Sequence, residues 1–158
     1  MKKSILVLSL ILLIGCKSKP VDTKPVEIIP VYLKLTISEV SENQKKKAYD
    51  LGKRILNICN TSKFIPFNES EATQSVIQNT TIEKHSKICL RFREKHGSFK
   101  DIKLIEIYKN STGNALIFRY KAFFERENAN KELRVTLNNE NKVSSLKTME
   151  WTDSFKYK

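Results

Sequence analysis

The sequence has 158 residues, with 29 lysines and arginines against 17 aspartates and glutamates, a formal net charge of +12. This length fits one ordinary domain rather than two. Only four glycines and two histidines are present, so the sequence contains no glycine-rich phosphate loop or recognisable metal site, and no cofactor is expected.

The first fifteen residues have the layout of a secretory signal peptide. A basic start is followed by an apolar run from Ile5 to Ile14, which is shorter than the roughly 20 residues that cross a bilayer. Leu13-Ile14-Gly15-Cys16 resembles the lipobox of bacterial prolipoproteins, in which the cysteine accepts a diacylglyceryl group. The resemblance implies that residues 1 to 15 are removed and that Cys16 becomes a lipid-modified N-terminus. The alternative is a plain secretory signal, which would leave the domain soluble.

A lipid anchor implies a domain on the membrane, facing the periplasm or the cell exterior. Lys17 follows Cys16 where an aspartate retains some lipoproteins at the inner membrane, so an outer membrane is favoured if the cell has one. Loss of the two signal-peptide lysines leaves a formal charge of about +10. A positive charge of this size is suited to binding anionic lipid headgroups, an anionic envelope polymer or an acidic protein. The alternative is that the lysines only form a solvated surface. Nucleic acid is not an expected partner.

Residues 16 to 40 are predicted to form an extended tether. Pro20, Pro25 and Pro30 interrupt any regular period in its first part. Val31 to Ile37 alternates apolar and polar residues, which indicates either a short strand or more of the tether.

Residues 41 to 151 are predicted to form one domain that begins with helices. Ser41, followed three residues later by Gln44, is typical of a capped helix start, and Gly97 is typical of a helix end. The apolar spacing predicts helices at residues 41 to 61, 69 to 78 and 81 to 96.

From residue 101 the apolar pattern changes to a period of two, separated by asparagine-rich breaks. The predicted strands are Asp101 to Tyr108, Ala115 to Arg126, Glu132 to Leu137 and Val143 to Trp151. In the second of these, one alternating set is apolar and should face the helices: Leu116, Phe118, Tyr120, Ala122 and Phe124. The fold is therefore predicted to be α+β, with N-terminal helices packed on a four-stranded antiparallel sheet and residues 152 to 158 as a tail.

The segment from Lys131 to Leu146 contains Val-Thr-Leu, a polar turn, Lys-Val, two small residues and Leu. With the preceding helices, this pattern resembles the nuclear transport factor 2-like, or cystatin-like, small domains of many secreted bacterial proteins. The resemblance covers about residues 41 to 151. It implies a curved sheet forming a half-cone, whose concave face is covered by helices and holds a pocket in some members. Members include binding modules, dimerisation domains, which makes a homodimer one option, and a few isomerases or dehydratases.

An enzyme of this kind would need a base within the cone. Glu106 is one candidate, because an inward register of its strand would desolvate the carboxyl and raise its pKa. The alternation also permits Lys103, Ile105 and Ile107 to point inward, which turns Glu106 to solvent. His85, on the apolar stripe of the third helix, is the other candidate, with a structural role as its alternative. No catalytic nucleophile is apparent, so catalysis is not the favoured function.

A binding module would use the other sheet face, where apolar and basic residues interleave. The predicted partner surface consists of Lys103, Ile105, Ile107, Arg119, Lys121, Phe123 and Arg134. The alternative is that the N-terminal strand or the C-terminal tail covers this face, since Trp151, Phe155 and Tyr157 lie at nearly alternate positions.

Cys59 and Cys89 remain after Cys16 in a chain that leaves the reducing cytoplasm. They either form a disulfide or act as two separate small apolar residues. The sequence thus favours a lipid-anchored, extracytoplasmic binding module without catalysis, with a small cone-pocket enzyme or a purely structural lipoprotein as alternatives.

Overall fold

The computed structural model describes residues 31–61, 63–127 and 131–157. The predicted signal peptide, Cys16 and the first part of the predicted tether lie outside the described residues. Within these ranges, none of the helices combines the length and the apolar character needed to cross a membrane.

The described chain is α+β, as predicted. Its helices are α1 (Glu42–Thr61), α2 (Gln74–Asn79) and α3 (Ile82–His96), preceded by a short 3-10 helix (Ile37–Glu39). Its strands are β1 (Tyr32–Leu35), β2 (Phe99–Asn110), β3 (Leu116–Phe124), β4 (Lys131–Leu137) and β5 (Val143–Glu150). They form one antiparallel sheet in the order β1-β2-β3-β4-β5. The predicted count of four was wrong, because the segment that was either strand or tether contains β1, which pairs with the end of β2.

Local hydrogen bonds explain where the helices begin and end. The hydroxyl of Ser41 accepts a hydrogen bond from the amide of Gln44 at 3.3 Å, which caps α1. Gly97, with φ of 74°, ends α3 in a conformation that favours glycine. The second helix begins five residues later than predicted, because the Asn68 side chain accepts the amide of Ser70 at 2.9 Å and holds a turn there.

The core lies between the helices and one face of the sheet, here called the inner face. The apolar set of β3 faces the helices as predicted. The closest approach is at Gly52 of α1, where an added Cβ would lie 2.9 Å from Cδ2 of Leu133 and 3.0 Å from Cγ2 of Val135. Glycine thus permits α1 to pack directly on β4.

A β-bulge in β2 decides which of its side chains face the helices. Leu104 and Glu106 lie opposite consecutive residues of β3, which makes Ile105 an extra residue. After the bulge, Ile107 is fully buried in the core and Glu106 lies on the opposite, outer face. Each predicted register holds on only one side of the bulge, since each assumed unbroken alternation. Ile102 and Leu104 pack on the core before the bulge, and Ile107 points inward and Glu106 outward after it.

Candidate functional site

The seven residues of the predicted partner surface do not form one exposed surface. Ile107 lies in the core, and Arg119 and Arg134 are buried on the outer face. The remaining four are exposed or partly exposed: Lys103, Ile105, Lys121 and Phe123. A partner surface that requires all seven residues is therefore wrong.

Five charged residues cross the outer face as a ladder of alternating sign, Lys34, Glu106, Arg119, Glu132 and Arg134. Lys34 Nζ lies 2.6 Å from Glu106 Oε1, and Arg119 Nη1 lies 2.6 Å from Glu106 Oε2. Arg119 Nε donates to Glu132 Oε2 at 2.8 Å, and Arg134 Nε donates to Glu132 Oε1. The ladder thus neutralises most of its own charge.

Residues 151 to 157, here called the C-terminal strap, lie over this ladder. The ring of Trp151 stacks on the Arg119 guanidinium at 4.1 Å, and that of Phe155 on the Arg134 guanidinium at 4.4 Å. Arg119 Nη2 also donates to the carbonyl of Thr152. The alternative to a partner surface was that the N-terminal strand or the C-terminal tail covers this face. Both segments contribute to the cover, since Tyr157 of the strap stacks on Tyr32 of β1.

Glu106 is not suited to act as a base. Burial raises the pKa of its carboxyl, but the hydrogen bonds from Lys34 and Arg119 lower the pKa by more than burial raises it. The pKa of Glu106 therefore lies below its ordinary value. The group is held ionised on the outer face, away from the helices. The prediction of a desolvated Glu106 inside the cone was wrong because the bulge turns the side chain outward.

The lowered pKa of Glu106 predicts a loss of stability in acid. Its folded-state pKa is below the ordinary 4.5, so its contribution is complete above that pH and disappears as the pH falls through the folded-state pKa. We expect the pH dependence of the urea-unfolding free energy below about pH 4.5 to be shallower in Glu106→Gln than in the unmodified protein. Equal slopes would contradict a stabilising role for this ionised carboxylate.

A cavity of about 380 Å³ opens on the inner side, between the three helices and strands β4 and β5. Its lining residues are Ile55, Leu56, Cys59, Ser75, Val76, Asn79, Thr80, His85, Ile88, Phe92, Leu133, Ser144, Ser145, Leu146 and Thr148. None of these residues is an aspartate, glutamate, lysine or arginine. Pockets for small molecules commonly have volumes of about 300 to 1,000 Å³, with apolar walls and a few polar groups, and this cavity fits that description.

His85 is the only histidine in the cavity wall, and it packs near Phe64 with 6.3 Å between ring centroids. Burial lowers the pKa of its imidazole, which favours the neutral ring at neutral pH. Since no lining residue is a carboxylate, the cavity wall gives His85 no acidic partner of the kind that orients a catalytic histidine.

A disulfide joins Cys59 of α1 to Cys89 of α3, where the sequence left a bridge and two separate cysteines open. The only fully buried residue of α3 is His96, and Leu90 is 71% exposed. The covalent link therefore holds beside the cavity a helix that buries little of its own surface.

Sequence reasoning found His85 and Cys59 but missed most of the cavity wall. The walls supplied by α2 and β5 depend on contacts between distant segments, of which Ala72 and Val143 form one as a bridge. One local signal was present, because the small side chains of Ser144 and Ser145 leave space beside β4.

Comparison with known proteins gives no match to a protein-family model, a curated protein or a solved structure. Among the residues that the structure describes, no group of histidine, cysteine, aspartate and glutamate could hold a metal ion. The cavity is therefore the main guide to function.

Proposed function

We propose that this chain is a lipid-anchored, extracytoplasmic module of the bacterial envelope that binds a small, largely apolar ligand in the inner cavity. The observation that carries the proposal is the cavity wall, which is mainly apolar with a few hydroxyl and amide groups. Such walls gain free energy by burying apolar surface, while the polar groups orient the ligand.

The cavity is accessible from the surface along α3. Ile88 lines the cavity and is 55% exposed, so the apolar wall continues to the outside. A ligand chain entering there would cover this side chain and remove it from water. An apolar entrance that is open to the surface is expected of a cavity that binds and releases a ligand. It is not expected of a gap left by incomplete packing of the core.

The proposed location rests on the signal-like residues 1 to 15, on Cys16 and on the disulfide. Disulfides persist in compartments outside the reducing cytoplasm, which agrees with export. Several acyl chains on Cys16 would hold the domain at a membrane, since a single chain binds only marginally. Lys17 favours the outer membrane where one exists.

The order of elements supports the resemblance to nuclear transport factor 2-like, or cystatin-like, domains. Three helices lie on one face of a single antiparallel meander, and the cavity lies between these helices and the sheet. Within such a fold the cavity is compatible with binding or with catalysis. Binding is preferred, because Glu106 lies outside the cavity and His85 has no acidic partner in its wall.

Filling the cavity tests the proposal. The lipidated full chain, reconstituted in phosphatidylcholine vesicles, is exposed to a long-chain alcohol that carries a photoactivatable diazirine. We expect crosslinks on peptides containing Ile55, Ile88 or Leu146, and we expect Leu146→Trp to remove most of them, because the larger ring occupies the space.

The matched control is Leu33→Trp, the same change on β1 at a side chain that is 61% exposed and outside the cavity. This variant should retain the unmodified labelling pattern. Peptide mass spectrometry measures both. If the crosslinks do not fall on the cavity peptides, or if Leu146→Trp does not reduce them, the proposed binding in the cavity is wrong.

A further inference from the structure

Lys84 is held beside the wall of the cavity by two hydrogen bonds. Lys84, in the first turn of α3, donates from Nζ to Oδ1 of Asn79 at 2.9 Å and to the carbonyl of Gln78 at 3.2 Å. Asn79 itself lines the cavity. The ammonium group therefore lies next to the cavity wall, although Lys84 is not part of that wall.

The charge of Lys84 is not balanced by these contacts. Both acceptors are neutral oxygens, and an ammonium group has three donors, of which they take two. The carboxylate closest along the chain, Glu83, is engaged elsewhere, since hydrogen bonds from the Thr81 side chain and its own amide lower its pKa. Lys131, by contrast, is paired with the carboxylate of Glu150.

The helix places this charge beside the apolar entrance. Ile88 follows Lys84 by four residues, so the two side chains lie on the same side of α3. Arg91 follows Lys84 by seven residues and adds a second cation along that side. The entrance thus combines the apolar side chain of Ile88 with the cations of Lys84 and Arg91. The wall of the cavity behind it contains no aspartate, glutamate, lysine or arginine.

We propose that the ligand is an amphiphile with an apolar chain and an anionic head, the chain in the cavity and the head on Lys84. This inference rests on the proposed function of the cavity. A charged acceptor on an ammonium makes a hydrogen bond roughly twice as strong as a neutral pair does. A fatty acid carboxylate and the phosphate of a single-chain phospholipid share this chemistry.

Matched probes test the head group. Photoactivatable chains of one length carry a carboxylate, a lysophosphatidylglycerol head, a lysophosphatidylcholine head or a hydroxyl, and each is added to the lipidated full chain in phosphatidylcholine vesicles. We expect Lys84→Gln to lower cavity labelling by the anionic probes roughly tenfold, the loss of one charge-assisted hydrogen bond. Labelling by the alcohol should not change.

The comparison of each variant with the unmodified protein for the same probe removes differences in how the probes partition into the vesicles. Lys87→Gln is the matched control, since Lys87 is exposed on α3 but lies further round the helix from Ile88. It should behave as the unmodified protein with every probe. A loss for the carboxylate alone identifies a fatty acid as ligand, and a loss for the lysophosphatidylglycerol probe alone identifies a single-chain anionic phospholipid. Labelling by lysophosphatidylcholine, whose head has no net charge, should not change.

The outcomes separate this inference from the function on which it rests. If the alcohol labels the cavity and Leu146→Trp abolishes the labelling, but Lys84→Gln affects all probes equally or none, the anionic head is overturned and the apolar cavity stands. If no probe labels the cavity, both proposals fail. Circular dichroism of Lys84→Gln, with unchanged melting, confirms that a loss of labelling is not a loss of fold.

Discussion

Replacing Glu132 with glutamine is expected to lower the free energy of unfolding by about 3 to 5 kcal/mol, the effect of removing one partner of a buried ion pair. The side chains of Glu132 and Arg119 are both fully buried, with Arg119 Nη2 at 2.7 Å from Glu132 Oε2. Glutamine has nearly the same shape, so the change removes the charge without leaving a cavity. It would leave the buried guanidinium of Arg119 with the carboxylate of Glu106 alone, and it would remove the carboxylate that pairs with Arg134.

Urea unfolding followed by circular dichroism measures this effect. Glu140→Gln is the matched control, because Glu140 pairs with Lys142 at 3.2 Å on the surface and is mostly exposed. Exposed pairs contribute little to stability, so this control should unfold almost as the unmodified protein does. If both variants lose similarly little free energy of unfolding, the ladder under the strap does not contribute strongly to the stability of the fold.

Removal of the disulfide is the second large effect. In the double variant Cys59→Ser/Cys89→Ser, the unfolded chain regains the freedom of a loop closed by cysteines 30 residues apart. The chain-entropy relation gives a loss of about 3 to 4 kcal/mol. Because α3 buries only one residue fully, its amides should also exchange with deuterium faster than those of α1.

The unmodified protein treated with a reductant is the natural control for this variant. It should show the same loss in urea unfolding and the same exchange pattern along α3, which distinguishes loss of the bond from effects of serine. If the reduced protein keeps its unfolding free energy, or if α3 exchanges no faster than before, the disulfide is not what holds this helix in place.

The local patterns of the sequence predicted much of the fold. The serine cap of α1, the glycine that ends α3 and the alternation of β3 each act over a few residues, and the structure retains all three. Alternation failed in β2, because one extra residue at Ile105 reverses the faces, and a bulge depends on the partner strand as much as on its own residues.

The candidate site was harder to predict, because it depends on segments distant in sequence. Arg119 and Glu132 lie on a face that alternation assigns to solvent, and only the strap makes that face interior. The aromatic spacing of Trp151, Phe155 and Tyr157 did indicate such a cover. The cavity has a weaker signal, because its wall is assembled from three helices and two strands. The pattern of any one of these segments does not reveal a space that all of them enclose.

The contact between Tyr157 and Tyr32, with ring centroids 4.3 Å apart, has a mechanical consequence. β1 is four residues long and lies within residues 16 to 40, the segment predicted to be the tether. A pull along that segment would therefore reach β1 and the strap before the strands that carry the cavity wall. Under load, β1 and the strap would separate from the rest of the sheet first, while β4, α1 and the disulfide hold the wall of the cavity in place.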